Sequence, residues 1–255
     1  MRENPLKTRL AEGKVILGSW LSFYDPAVAE IMVQAGFDWL SIDSEHAPLS
    51  LNLIENMLIA FRGTHTVPII RVAWNDPVLI KQALDMGPDG LIIPSVNTAE
   101  EARRAVLACK YPPQGIRGVG PRRAAAYGAE MLEYLGQANE RILIVVQIEH
   151  IKAVENIEEI LKVDGIDVAF VGPADLTASL GLLPEFGHPR VQEAIERVLA
   201  KCLEAGLPFG IHTGSVEEAR YWASRGAQMV SIKLDMEYLR GAAVETVAEF
   251  RKEIS

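Results

Sequence analysis

The sequence predicts a (β/α)8 TIM barrel, an α/β fold of eight parallel strands alternating with helices, and three observations point there. A half-unit recurs along the chain, in which a helix-like stretch closes on glycine and a short β-branched or aromatic run follows. These runs are continuously apolar rather than alternating, as strands buried on both faces are. The 255 residues hold eight such runs, the size and rhythm of a barrel. A doubly wound open sheet normally stops at about five or six strands and would leave two units unassigned.

The elements follow in order. A mixed polar segment from Arg2 to Pro5 precedes the first strand, read over 14–19, and Asp25-Pro26 places a cap before proline at a helix start. Ala35-Gly36-Phe37-Asp38-Trp39-Leu40 closes that helix and opens the second strand, 37–43. The third strand is read over 67–72, and Asp76-Pro77 opens the helix behind it. Met86-Gly87-Pro88-Asp89-Gly90 turns into the fourth strand, 90–95, and Thr98 before Glu100 and Glu101 marks the next helix. Residues 110–128 form a long Gly-, Pro- and Arg-rich interruption, read as a functional or disordered loop. A helical stretch at about 129–139 returns the chain to the fifth strand, 142–149. Asp164-Gly165 leads to the sixth, 167–173, and the seventh is 208–213. Ser215 before Glu217 and Glu218 caps a helix, and Arg225-Gly226 turns into the eighth strand, 229–234. No composition shift divides the chain, so 1–255 reads as one domain.

With 49% hydrophobic residues the chain has ample material for a core. Twenty-five Lys and Arg against 34 Asp and Glu give a net charge of −9, which excludes a broad nucleic-acid-binding face. The same charge argues at first against an anionic substrate, although net charge says little about the field in one cleft. Cys109 and Cys202 lie far apart in helical stretches without partners at metal-ligand spacing. They read as reduced core thiols of a cytoplasmic protein. Neither a secretory signal nor a membrane-spanning run is present in the sequence.

In a barrel the active site lies at the C-terminal strand ends. Those ends carry Asp43, Glu45, His46, Arg71, Gln147, Glu149, Asp175, His212 and Lys233. Glu149 ends a very apolar run and Asp175 follows one strand on. Two carboxylates at adjoining strand ends suit Mg²⁺ or Mn²⁺ with positions left for a chelating substrate. Spacing alone equally allows Glu149 to end its strand in solvent while Asp175 caps the helix beginning at Leu176. His46 has Asp43 three residues back to orient its imidazole, against the plainer reading of a polar loop histidine. Arg71 projects from a buried strand end and needs an anionic partner, either a substrate or Glu149 or Asp43. Arg122 and Arg123 can receive a carboxylate or phosphate or be a solvated or interface pair. Lys233 is a Schiff-base candidate or an ordinary salt-bridged lysine. His212-Thr213-Gly214-Ser215 is a weak anion-binding pattern, and His65, His150 and His188 are assigned nothing.

Read together, Gly36-Phe37-Asp38-Trp39-Leu40 through Asp43-Ser44-Glu45-His46-Ala47-Pro48, Arg71-Val72, Lys81-Gln82 with Asp85, Tyr111-Pro112-Pro113-Gln114-Gly115-Ile116-Arg117-Gly118-Val119-Gly120, Val146-Gln147-Ile148-Glu149 and Phe170-Val171-Gly172-Pro173-Ala174-Asp175-Leu176 resemble the class II pyruvate aldolases of the 4-hydroxy-2-oxoheptane-1,7-dioate aldolase and 2-dehydro-3-deoxyglucarate aldolase type. The match runs in order from about residue 5 to residue 205.

The resemblance implies a divalent metal, Mg²⁺, Mn²⁺ or Co²⁺, on Glu149 and Asp175, with a 2-oxo acid chelating it. It implies that Arg71 faces the keto oxygen, that Gln147 and the backbone at Ala174 hold the acid, and that His46 with Asp43 forms a proton-transferring dyad. Asp85 matches a position near the aldehyde subsite. A homohexamer is implied, a trimer of dimers with the last helix, about 236–252, exchanged between neighbours and with Arg122 and Arg123 serving an adjoining site. Two departures fall late in the chain. His212 and its neighbours replace more apolar or small residues, and Lys233 stands where Gly is usual.

The expected reaction is reversible retro-aldol cleavage of a 4-hydroxy-2-oxo acid to pyruvate and an aldehyde. Three rivals are carried: an oxaloacetate-type decarboxylase using the same metal site, a Schiff-base lyase using Lys233, and a non-catalytic barrel serving in binding or assembly.

Overall fold

The computed structural model describes residues 4–48 and 50–252. Eight parallel strands close into a barrel in chain order: β1 (Ile16–Leu21), β2 (Trp39–Asp43), β3 (Val67–Arg71), β4 (Gly90–Ile93), β5 (Leu143–Ile148), β6 (Val168–Val171), β7 (Phe209–Thr213) and β8 (Met229–Leu234), with β8 pairing back onto β1. The expected strands are all present, most trimmed by a residue or two at their ends. The first is displaced to Ile16–Leu21, because ladder pairing with β8 begins only where the Ile16 N–H meets the Gln228 carbonyl, at 2.7 Å.

Local chemistry explains the alternation. Asp25, Asp76, Thr98 and Ser215 each accept a backbone N–H from the first turn of the helix they precede. Gly36 and Gly226 take φ of 90° and 110° in the αβ turns, a region other residues resist.

Strand residues alternate between two cores. Inward-facing Ile16, Trp20, Trp39, Ile69, Val145, Phe170 and Met229 belong to the cluster that fills the axis. The alternate positions, such as Leu40, Ile70, Val146 and Ile211, pack against the surrounding helices. Gly18 is required by this filling, since a Cβ there would lie 2.1 Å from the Trp39 ring. A helix at Pro5–Ala11, which the sequence reading missed, is capped by Asn4 and sends Leu6 and Leu10 into the same axial cluster, plugging the N-terminal end.

The 110–128 loop is not loose. Arg117, 2% exposed, bonds Asp85 at 2.8 Å and the Tyr134 hydroxyl at 3.1 Å, and its guanidinium stacks on the Tyr111 ring at 4.4 Å. The helix after it runs Met131–Arg141. The last helix, Asp235–Lys252, is anchored by Asp235, which accepts the backbone N–H groups of Ser22 and Phe23, while Leu239, Val244 and Phe250 stay exposed. Both cysteines are free and buried. No helix among the described residues is long and apolar enough to cross a membrane.

Candidate active site

The inward positions at the C-terminal strand ends are polar where those below them are apolar. Strand alternation sends Asp43, Arg71, Gln147, Glu149, His212 and Ser231 into the barrel mouth, above the Trp20, Trp39 and Phe170 rings.

Arg71 organises one side of this rim. Asp43 and Arg71 are register partners on β2 and β3. The guanidinium donates through Nε to Asp43 Oδ1 at 2.9 Å and through Nη2 to Asp43 Oδ2 at 2.7 Å. Its Nη1 lies 3.2 Å from Glu45 Oε2, and its plane covers the Trp20 ring at 4.5 Å. A buried arginine is tolerated because two carboxylates hold its charge in a fixed fork.

This pairing corrects the expected His46–Asp43 dyad. The Asp43 carboxylate is committed to Arg71 and to the Glu45 backbone N–H. The His46 imidazole is exposed and faces Glu45 instead, with Nε2 3.7 Å from Oε2. The physical reason is the register, which sets the buried guanidinium, not the loop imidazole, directly beside Asp43. Glu45 is therefore the residue whose role sequence reasoning missed. Its signal was a second carboxylate in Asp43-Ser44-Glu45-His46, within reach of Arg71.

Glu149 follows two strands further round, at the end of β5. It is 7% exposed, accepts the Ser95 backbone N–H at 2.6 Å and is bonded by the Gln147 side-chain amide. It does not end its strand in solvent. Ser95 holds φ of 56°, a strained backbone that aims its N–H at this carboxylate. Burial pushes the Glu149 carboxyl up to about 7, helped by the nearby charges of Glu45 and Asp175. Glu45 is likewise pushed up to about 7 by burial, against the pull of Arg71.

Asp175 does not cap a helix. The helix is Pro173–Ser179, Gly172 occupies the cap position, and Asp175 stands exposed in the first turn. Ala174 is in the same turn, where backbone N–H groups lack intrahelical acceptors. Gly172 allows the close approach, because a Cβ there would lie 2.8 Å from Gln147 Nε2 and 3.3 Å from Glu149 Oε2.

Asp85, expected near the aldehyde subsite, and Arg122 and Arg123, expected to serve an adjoining site, lie away from this mouth. Asp85 ends the helix Pro77–Asp85, which runs back from the mouth, and is held by Arg117. Arg122 pairs with Glu55 on the barrel's flank. Arg123 donates to the carbonyls of Met86 and Leu58 and lines a cavity of about 860 Å³ at the N-terminal end, with Pro5, Asp38 and Pro68. Helices antiparallel to the strands carry their last residues away from the catalytic face, so within one chain these three do not meet Glu149. Lys233 is half-buried with φ of 54°, its Nζ 5.9 Å from the Tyr238 ring. That left-handed backbone explains why glycine suits the position.

Residues 17–242 match the family described as HpcH/HpaI aldolase/citrate lyase. The chain belongs to this family. A hydroxypyruvate/pyruvate aldolase of Roseovarius nubinhibens is 40% identical over 249 residues, covering 97% of each chain. A 4-hydroxy-2-oxo-heptane-1,7-dioate aldolase of Escherichia coli is 41% identical, covering 97% of this chain and 95% of its own. The crystal structure of an HpcH/HpaI aldolase/citrate lyase family protein from Burkholderia cenocepacia superposes with a TM-score of 0.94 at 38% identity, over 97% of this chain and 99% of that one. This HpcH/HpaI aldolase is accordingly a carbon–carbon lyase.

A divalent ion fits the donor set of the aldolase. Among the described residues no three His, Cys, Asp or Glu side chains converge to hold an ion by themselves. Two hard carboxylates with water and substrate completing the shell is nevertheless the usual arrangement for Mg²⁺. Asp175 takes no hydrogen bond from the described residues, and Gln147 Oε1 is buried without a partner among them. Glu149 and Glu45, held near neutrality by burial and mutual repulsion, are groups that a cation would ionise.

Proposed function

We propose that the protein cleaves a 4-hydroxy-2-oxo acid reversibly to pyruvate and an aldehyde. The observation that carries this reading is a buried arginine, fixed by two carboxylates, on the same arc of one barrel mouth as Glu149 and Asp175. Relatives named as pyruvate and 4-hydroxy-2-oxo acid aldolases support the substrate class.

Glu149 and Asp175 would hold a divalent ion, Mg²⁺, Mn²⁺ or Co²⁺, which supplies Lewis-acid polarisation of the 2-oxo group. Gln147 and the free N–H at Ala174 orient the acid's carboxylate. Arg71 donates to the C2 oxygen as negative charge develops there, in a fork that needs no reorganisation because Asp43 and Glu45 already fix it. His46, at the open side of the rim and beside Glu45, takes the 4-hydroxyl proton during cleavage and returns it in synthesis. Glu45 links the two, with Oε2 3.7 Å from His46 Nε2 and 3.2 Å from Arg71 Nη1, and the exposure of the ring keeps it in contact with solvent protons.

Chelation tests the reading. EDTA is expected to abolish both aldol cleavage and exchange of pyruvate methyl protons, and added Mn²⁺ to restore them. Borohydride with pyruvate is expected to leave the enzyme active. Chelator-resistant turnover together with borohydride inactivation would transfer the chemistry to Lys233.

A homo-oligomer, a hexamer by resemblance, belongs to the same proposal. The exposed Leu239, Val244 and Phe250 on the last helix support it. Light scattering is expected to give a multiple of the chain mass, and a monomer at micromolar concentration would refute it.

A further inference from the structure

His212 is placed by β7 in the barrel mouth, and the reading above leaves it without a task. Its Nδ1 lies 3.1 Å from Trp20 Nε1 and 2.9 Å from Ser231 Oγ, and Trp20 Nε1 also donates to Ser231 Oγ at 2.9 Å. Indole N–H only donates. Every member of this triangle is satisfied when Nδ1 accepts, from the serine hydroxyl and the shared indole N–H, and the imidazole proton sits on Nε2. Burial, with the Arg71 charge adding to it, lowers the ring's pKa to about 4, so this tautomer is neutral at physiological pH.

No described residue accepts the Nε2–H, and Nε2 is not among the fully enclosed polar atoms that lack a partner. The ring thus presents a fixed, uncharged donor to whatever enters the mouth. The position of that donor around the barrel decides what it meets. The groups assigned to the 2-oxo acid come from β3, β5 and the loop after β6, and His46 follows β2. The remaining arc, β7, β8 and β1, borders the space left for the aldehyde portion. On that arc Trp20 and Ser231 satisfy one another and hold His212, as positioning residues.

We propose that His212 is a specificity-determining residue whose Nε2–H donates to a hydroxyl oxygen of the acceptor, so that the enzyme selects hydroxyaldehydes over aliphatic aldehydes of the same size. The inference rests on the aldolase reading and goes beyond it by naming the acceptor class. An apolar residue at 212 would offer the same volume to either acceptor. A fixed donor discriminates, because an acceptor lacking the hydroxyl leaves it unpaired on desolvation.

Glycolaldehyde and propanal differ by a hydroxyl in place of a methyl and make the test direct. With Mn²⁺-supplemented protein and pyruvate, kcat/KM for the wild type is expected to favour glycolaldehyde. In His212→Leu that preference is expected to fall about tenfold or more, through loss on glycolaldehyde, with propanal addition retained. His212→Gln, which keeps an acceptor toward Ser231 and a donor beyond it, is expected to recover much of the preference. Nitrogen shifts of the His212 ring are expected to show the Nε2–H tautomer from pH 5 to 9.

Exchange of pyruvate methyl protons without any acceptor separates the two readings. Exchange retained in His212→Leu with the preference unchanged overturns the role of His212 and leaves the aldolase reading standing. Exchange lost in His212→Leu but present in His212→Gln places the ring at the oxo-acid end, and also overturns it. No exchange in the wild type removes the aldolase reading itself, and the acceptor assignment falls with it.

Discussion

Arg71→Ala is expected to lower kcat by roughly 10²–10³-fold, the cost of deleting one fixed donor to a developing oxyanion. The same substitution strips Asp43 of its counter-ion. The Asp43 side chain is 2% exposed, and an uncompensated buried charge costs about 3–5 kcal/mol. Activity and stability therefore fall together in the single variant, and the two losses must be separated. Arg71→Ala combined with Asp43→Ala removes both charges and is expected to recover a large part of the melting temperature with no recovery of turnover. Arg71→Lys is expected to remain impaired, because a point ammonium cannot serve both oxygens of Asp43 and Glu45 while covering Trp20. Turnover rising with stability in the double variant would reduce Arg71 to a structural residue.

Glu149→Gln is expected to cost at least about 10³-fold in turnover, since several kcal/mol of charge stabilisation depend on its ionised form. The rise in melting temperature expected of the wild type with Mn²⁺ is expected to be absent in this variant. The pH dependence has a definite sign. In the metal-free chain the Glu149 carboxyl titrates at about 7, above its ordinary value of 4.5. Between those values the folded state holds a proton that the unfolded state has lost. The stability this contributes is fully present below the unfolded pKa and is lost as pH rises through 7. Glutamine has no such proton. The melting temperature of metal-free wild type minus that of Glu149→Gln is thus expected to fall as pH rises from 5 to 8. A difference that is flat or grows with pH would contradict the buried, repelled state of this carboxyl.

Much of the barrel was legible because its signals are local. Asp25-Pro26, Asp76-Pro77, Thr98 and Ser215 mark helix starts through bonds to N–H groups two or three residues away. Gly36 and Gly226 mark turns through their own φ. Continuous apolar runs then located the strands. The Pro5–Ala11 helix escaped because seven residues carry only Leu6 and Leu10 as buried positions, too few for a period. His150 and His188 escaped as helix caps, although each accepts a nearby N–H through Nδ1.

The candidate site was legible as a set of strand ends and only partly as a set of pairs: Asp43 was among the partners open to Arg71, while Glu45 was not. Asp43 is three residues from His46 in sequence but adjacent to Arg71 across a ladder, and sequence distance does not tell which of the two side chains it meets. Asp85 was expected near the aldehyde subsite and Arg122 and Arg123 at an adjoining site, and within one chain all three lie away from the mouth. Arg117, buried between Tyr111 and Tyr134, shows the same limit. A loop rich in Gly, Pro and Arg looks mobile until the one arginine that pins it is identified in space.

The plug formed by Leu6 and Leu10, with the Trp39 and Phe170 rings above it, makes the barrel a vessel with a single opening. Whatever lodges against Gln147 and Glu149 must pass His46 and Asp175 on the way in and again on the way out. The proposed reaction is therefore expected to be ordered, the oxo acid binding before its acceptor in synthesis and the aldehyde leaving before pyruvate in cleavage, as product-inhibition patterns would show.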